Sequence, residues 1–87
     1  MNVFFNTKAL LEFKWFINNN KKIAERILQL IESIKHDPFA GIGKPKPLKH
    51  EIEGTWSRRI DNKNRLIYRI INKEIIEIVK CKGHYYD

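Results

Sequence analysis

The chain has 87 residues, room for a single domain over 1–87, and a fold this small buries only about 60% of the surface its unfolded form exposes. Seventeen Lys+Arg against ten Asp+Glu give +7, while 43% hydrophobic and 11% aromatic residues are too many for a disordered basic tail. A lone Cys81 excludes an intrachain disulfide scaffold, no apolar run nears the ~20 residues of a membrane span, and Lys8, Glu12 and Lys14 interrupt any signal-peptide pattern. The expectation is a small basic protein of a reducing, cytoplasmic compartment.

Val3-Phe4-Phe5 is short, apolar and suited to a strand. Asn6 or Thr7 caps a first helix running through Ile17, with Ala9, Leu10, Phe13, Phe16 and Ile17 at spacings of three and four. Asn18-Asn19-Asn20 breaks it, and Asn20 caps a second helix with a core stripe of Ile23, Ile27, Leu30, Ile31 and Ile34. Lys35 and His36 fall in its last turn, where positive charge suits the helix end, and Pro38 stops it.

Residues 38–54 hold all the prolines and every glycine but Gly83, which reads as a surface loop presenting Lys44, Lys46, Lys49 and His50. Gly41 and Gly43 lack the Gly-Lys-Ser/Thr and helix start of a phosphate loop. Across 44–69, eight cations face three acids, so most of the excess charge sits in one stretch. Such a field favours a polyanion, nucleic acid first and an acidic protein segment second; the plain alternative is a surface that serves solubility.

Three strand-like runs follow, Trp56–Asp61, Arg65–Ile71 and Glu74–Cys81, with Asn62-Lys63-Asn64 and Asn72-Lys73 as hairpin turns. The fold class is therefore α+β: a short N-terminal strand, two helices, then a three-stranded antiparallel meander. With a three-residue and a two-residue turn, Trp56, Ile60, Leu66, Tyr68, Ile70, Ile75, Val79 and Cys81 share one face, with Arg58 and Glu77 as exceptions. The helices must cover that face. The other, open face collects Arg59, Arg65, Arg69, Lys80, Lys82 and His84 around Ile67, Ile76 and Ile78, a basic surface suited to RNA. A one-residue slip in register would exchange the two faces.

No metal site is assembled by the spacing, since Cys81-Lys82-Gly83-His84 offers two ligands and no second pair; no cofactor is implied. Ser33 and Ser57 lack a nucleophile-elbow context. A basic site with one histidine fits phosphodiester transesterification, because RNA brings its own 2′-hydroxyl nucleophile and needs proton transfer and charge stabilisation. The residues alone leave His84 as either a proton donor or a solvated side chain, and Tyr85 and Tyr86 as either base-stacking or folded onto the core.

Gly-Lys-Pro-Lys-Pro-Leu-Lys-His at 43–50, Gly-Thr-Trp-Ser-Arg-Arg-Ile at 54–60, Asn-Arg-Leu-Ile-Tyr at 64–68 and the ending at His84-Tyr85 resemble the YoeB/Txe toxins of the RelE superfamily. The resemblance implies a small RelE-like fold and the toxin of a type II toxin–antitoxin pair, a ribosome-dependent endoribonuclease that cuts mRNA in the ribosomal A site. It implies His84 as the general acid, Tyr85 as an orienting or stacking group and Arg65 as the stabiliser of phosphate charge. Lys49 and Arg59 would hold the RNA backbone, beside Lys44, His50, Arg69, Lys80 and Lys82 of the basic surface. It implies a YefM-type acidic antitoxin as partner and leaves a homodimer open, with no membrane role. Where the family usually carries a glutamate, the proposed base, this chain has Lys46. Three readings follow: Lys46 is the base, as lysines are in RelE-type relatives; it contacts phosphate while His50 or another group takes the proton; or the toxin is weakened and survives as a corepressor with its antitoxin.

Overall fold

A computed structural model describes residues 1–84 of the chain. Strand β1 (Asn2–Phe5) leads into helix α1 (Thr7–Asn19), then helix α2 (Lys21–His36), β2 (Lys46–Pro47), β3 (Thr55–Arg59), β4 (Arg65–Ile70) and β5 (Ile75–Lys80). The helices begin where the asparagines lie. Asn6 Oδ1 accepts from the Ala9 amide at 2.8 Å. Asn20 both closes α1, donating its backbone amide to the Phe16 carbonyl at 2.7 Å, and opens α2, its side chain accepting from Ile23 at 3.3 Å.

The sheet has five strands in the order β1-β5-β4-β3-β2, so the expected meander is its centre. The N-terminal strand pairs in parallel with the last strand, Val3 opposite Ile76 and Phe5 opposite Ile78. The two-residue β2, read from sequence as loop, pairs antiparallel with β3, Lys46 opposite Ser57. Both helices pack on one face, as expected, and Ile27, Leu30, Ile34, Leu66, Tyr68, Ile76, Ile78 and Cys81 are fully enclosed between them and the sheet. The α2 stripe is core as read. On α1 the core side is Ala9, Phe13 and Phe16, while Leu10 and Ile17 face outward.

The register corrects part of the face assignment. In the β3–β4 hairpin Arg59 pairs with Arg65, two positions from the expected pairing of Asp61 with Arg65; a shift of two leaves every side chain on its expected face. The β4–β5 turn takes three residues, Asn72-Lys73-Glu74, because the Asn72 side chain accepts from the Glu74 and Ile75 amides. That extra residue shifts β5 by one. Ile76 and Ile78, expected on the open face, fill the core, and Ile75, Glu77 and Val79, expected on the core side, turn outward. An irregularity at Ile67/Tyr68 then places Lys80 opposite Ile67, which restores Lys80 to the open face and Cys81 to the core.

Candidate functional site

The open face is built in rows that cross the strands, with neighbours in a row about 4.8 Å apart. Lys46, Ser57, Ile67 and Lys80 form one row, and Thr55, Arg69 and Glu77 the next. Arg59 and Arg65 form a third, at the end of the sheet where the chain leaves β5: the Arg65 amide donates to the Gly83 carbonyl at 3.1 Å. Leu48 and Ile67 are buried outside the main core, and Ile67 lines a cavity of ≈ 230 Å³ on this face with Ile52, Val79 and Thr55. The floor is thus apolar and the rim charged, a surface that can take a base or an apolar side chain beside a phosphate or carboxylate.

Loop 38–54 reaches this face because its start is pinned. The carbonyl of Gly43, whose φ is +84°, accepts from the Arg59 amide at 2.6 Å, and a Cβ there would stand 2.7 Å from Leu30 Cδ2, so only glycine passes between helix and strand. Gly41 and Gly43 therefore shape the loop, as their poor match to a phosphate loop indicated. Beyond the pinned point Lys44, Lys46, Lys49 and His50 are exposed along the β2 edge.

Arg65 is half-buried and oriented by the 61–64 turn. Its Nη1 donates to the Asp61 carbonyl at 2.6 Å and the Asn64 carbonyl at 3.1 Å, and no contact among the described residues occupies Nε or Nη2. Asp61 Oδ1 in turn accepts from the Lys63 and Asn64 amides at 2.8 and 2.7 Å. Burial opposes ionisation of Asp61, but the hydrogen bonds from Asn64 and Lys63 and the Arg65 charge together hold its carboxyl below the ordinary value of 3.8. A lowered carboxyl stabilises the fold above its unfolded pKa and loses that contribution as pH falls through the folded one. Melting measured from pH 6 to pH 2 should therefore show the wild type losing stability below about pH 4 more steeply than Asp61→Asn; parallel curves would show that the turn does not need the charge.

The remaining expected site residues divide. Arg59 is exposed, and among the described residues neither it nor Lys46 nor Lys80 has an acidic partner. Arg69 is committed to Glu77, Nη2 to Oε1 at 2.8 Å, so it is a poorer phosphate contact than its position in sequence implied. Lys82 does not follow strand parity onto the open face: β5 ends at Lys80, and the Lys82 ammonium sits 4.6 Å from the centre of the Trp15 ring on α1. His84 likewise leaves the strand pattern. It is exposed at the end of the sheet and lines a cavity with Trp15, Asp61, Asn64 and Gly83. Tyr85 and Tyr86 lie outside the described residues.

Cys81 is enclosed, and burial first, with the nearby Glu12 charge second, pushes its thiol up to about 12. At neutral pH it is a protonated core side chain, its Sγ 3.5 Å from the Ala9 carbonyl. Ser33 is equally accounted for, accepting from Arg58 Nη1 at 2.8 Å. Arg58, an exception in the sequence reading, is fully buried with five hydrogen bonds. Its placement was visible from alternation; its partners, mostly carbonyls of 37–42, were not.

Fold and site define a small α+β domain with a cationic sheet face and a histidine at the end of the sheet. The family model described as "YoeB-like toxin of bacterial type II toxin-antitoxin system" matches residues 5–85, and the chain belongs to that family. It is 44% identical over 85 residues to the toxin YoeB of Synechocystis, covering 98% of each chain. The YoeB/ParE toxin of Agrobacterium tumefaciens superposes with a TM-score of 0.92 at 34% identity, covering 98% of this chain and 100% of that one. Staphylococcus aureus YoeB, solved as a dimer and in complex with YefM, gives 0.90 at 38% and 0.86 at 40% identity, with 98% of both chains covered in each case. The chain is a toxin of a type II toxin–antitoxin system, and the expected RelE-like α+β fold is the one it has.

Proposed function

We propose that this toxin is a ribosome-dependent endoribonuclease that cleaves mRNA in the ribosomal A site by metal-independent transesterification. The observation that carries the reading is the meeting of Arg65, whose Nε and Nη2 have no partner among the described residues, and the His84 tail, joined through the bond from the Arg65 amide to the Gly83 carbonyl. In the reaction the RNA 2′-hydroxyl attacks the adjacent phosphorus while the bond from phosphorus to the 5′-oxygen breaks. Lys46 takes the hydroxyl proton, His84 delivers one to the leaving 5′-oxygen, and Arg65 stabilises the charge that builds on the phosphate oxygens. Tyr85 orients the nucleotide. Lys44, Lys49, His50, Arg59 and Lys80 hold the surrounding backbone and ribosomal RNA, with Arg69 and Lys82 contributing field rather than contacts.

The partner is a YefM-type acidic antitoxin that covers the cationic face, and a homodimer matches the S. aureus relative solved in that state. Charge neutralisation across the face makes the contact tight and salt-sensitive. The second reading, a weakened toxin acting as corepressor, is favoured by one observation, the ammonium of Lys46 where the family usually carries a carboxylate.

A reconstituted translation reaction with a reporter mRNA decides between them. The expected result is cutting that requires ribosomes, leaves 2′,3′-cyclic phosphate and 5′-hydroxyl ends, falls by about 10²–10⁴-fold in His84→Ala, and stops on adding a YefM-type antitoxin. Intact transcript at a large excess of wild-type toxin would overturn the ribonuclease and leave the corepressor.

A further inference from the structure

Beyond Lys80 none of the described residues belongs to a strand, yet residues 81–83 are tied at every backbone amide. The Glu12 carboxylate on α1 accepts from the Cys81 amide at 2.8 Å and the Lys82 amide at 3.2 Å, both to Oε1. The buried Asn64 side chain accepts from the Gly83 amide through Oδ1 at 2.7 Å and is itself held by Asp61, Nδ2 donating to Oδ1 at 3.1 Å. Lys82, packed on Trp15, fixes the same segment from its side-chain end. Two acceptors from opposite sides, one on a helix and one in the turn that orients Arg65, therefore set where His84 begins.

We propose that Glu12 and Asn64 are positioning residues for His84: they clamp the tail between α1 and the 61–64 turn so that the imidazole is held beside Arg65. The inference rests on the ribonuclease reading above. Neither residue touches the reacting atoms. Their action is geometric, and a displacement of about 1 Å in a proton donor can cost on the order of 10²-fold in rate. The clamp also links the donor to the charge stabiliser, because Asn64 accepts from both the Gly83 amide and the Arg65 guanidinium, while Asp61 accepts from Arg65 and from the Asn64 side chain.

The test compares wild type with Glu12→Ala, Glu12→Gln and Asn64→Ala on translating ribosomes, reading the single-turnover rate at saturation and the half-saturating ribosome concentration. Glu12→Ala and Asn64→Ala should each lower the rate about 10–100-fold with half-saturation unchanged. Glu12→Gln, whose amide oxygen still accepts, should recover most of it. In the His84→Ala background, adding Glu12→Ala should cost no further rate, since there is no donor left to place. A wild-type rate in folded Glu12→Ala, or a loss that multiplies with that of His84→Ala, overturns the proposal. Amide hydrogen exchange reports the clamp without the reaction: Glu12→Ala should speed exchange at Cys81 and Lys82 and leave the β4 amides protected. Unchanged protection there overturns it too. Wild-type toxin that fails to cut sinks the ribonuclease reading instead, and the exchange result still tells whether Glu12 holds the tail.

Discussion

Replacing Arg58 by alanine is expected to lower stability by roughly 3–5 kcal/mol, the largest effect of any single change in this fold. Arg58 is fully buried and uses all of its N–H donors: Nε to Tyr68 Oη at 3.1 Å, Nη1 to Ser33 Oγ and the Ile42 carbonyl at 2.8 and 3.0 Å, and Nη2 to the Asp37 and Ala40 carbonyls at 2.8 and 2.9 Å. No carboxylate is among these partners. The cation is solvated by the loop it organises, so truncation removes the donors and strands several buried acceptors at once. Tyr68 belongs to the same network, its hydroxyl donating to the Pro38 carbonyl at 2.6 Å, and burial raises its pKa against the opposing Arg58 charge. At roughly 0.05–0.15 kcal/mol per residue such a loss is a large part of the total, and it corresponds to a melting midpoint lower by about 15 °C or more. Arg58→Lys, with three donors on a mobile stem, should recover less than half. A midpoint within about 3 °C of wild type for Arg58→Ala would show that water replaces the guanidinium at little cost. The loop held by Arg58 leads to Lys44 and Lys46, so binding to a polyanion should weaken in the same variant.

The same residue shows what was legible in the sequence. Alternation put Arg58 on the apolar face, and both helices, the central strands and the core stripe of α2 follow from spacing and capping alone. What could not be read were interactions between parts distant in the chain. The parallel pairing of β1 with β5 joins residues more than 70 positions apart, and β2 is only two residues beside prolines, below any pattern threshold. The error on β5 has a local cause, the Asn72 side chain that enlarges its turn by one residue, and a local remedy, the irregularity that returns Lys80 to the cationic face. For the site, alternation places Arg59, Arg65 and Lys80 on the basic face, whereas Lys46 reads only as a loop residue until β2 pairs it with Ser57, and the commitment of Arg69 to Glu77 depends on the shifted register. Asn64 stood out in the sequence only as a turn residue and the start of the 64–68 motif, and Glu12 not as a tail contact at all, since a carboxylate that caps a tail looks like any helix-surface glutamate.

Lys46→Glu is expected to cut mRNA faster than Lys46→Ala. Lys46 lies opposite Ser57 in the same row of the face as Lys80, exposed on the edge strand. A carboxylate at the same position can also accept the 2′-hydroxyl proton but is a weaker base than an amine, so the Lys46→Glu rate should fall between those of wild type and Lys46→Ala. Lys46→Ala should lose about 10²–10⁴-fold, the usual worth of a positioned base. The contrary outcome has an equally definite cause. An anion beside the scissile phosphate repels it, so a Lys46→Glu variant slower than Lys46→Ala would make Lys46 a phosphate contact and send the search for the base to His50, four residues along the same exposed loop. Half-saturation on ribosomes separates the two independently: loss of a base leaves it unchanged, whereas loss of a phosphate contact raises it and makes binding less sensitive to salt.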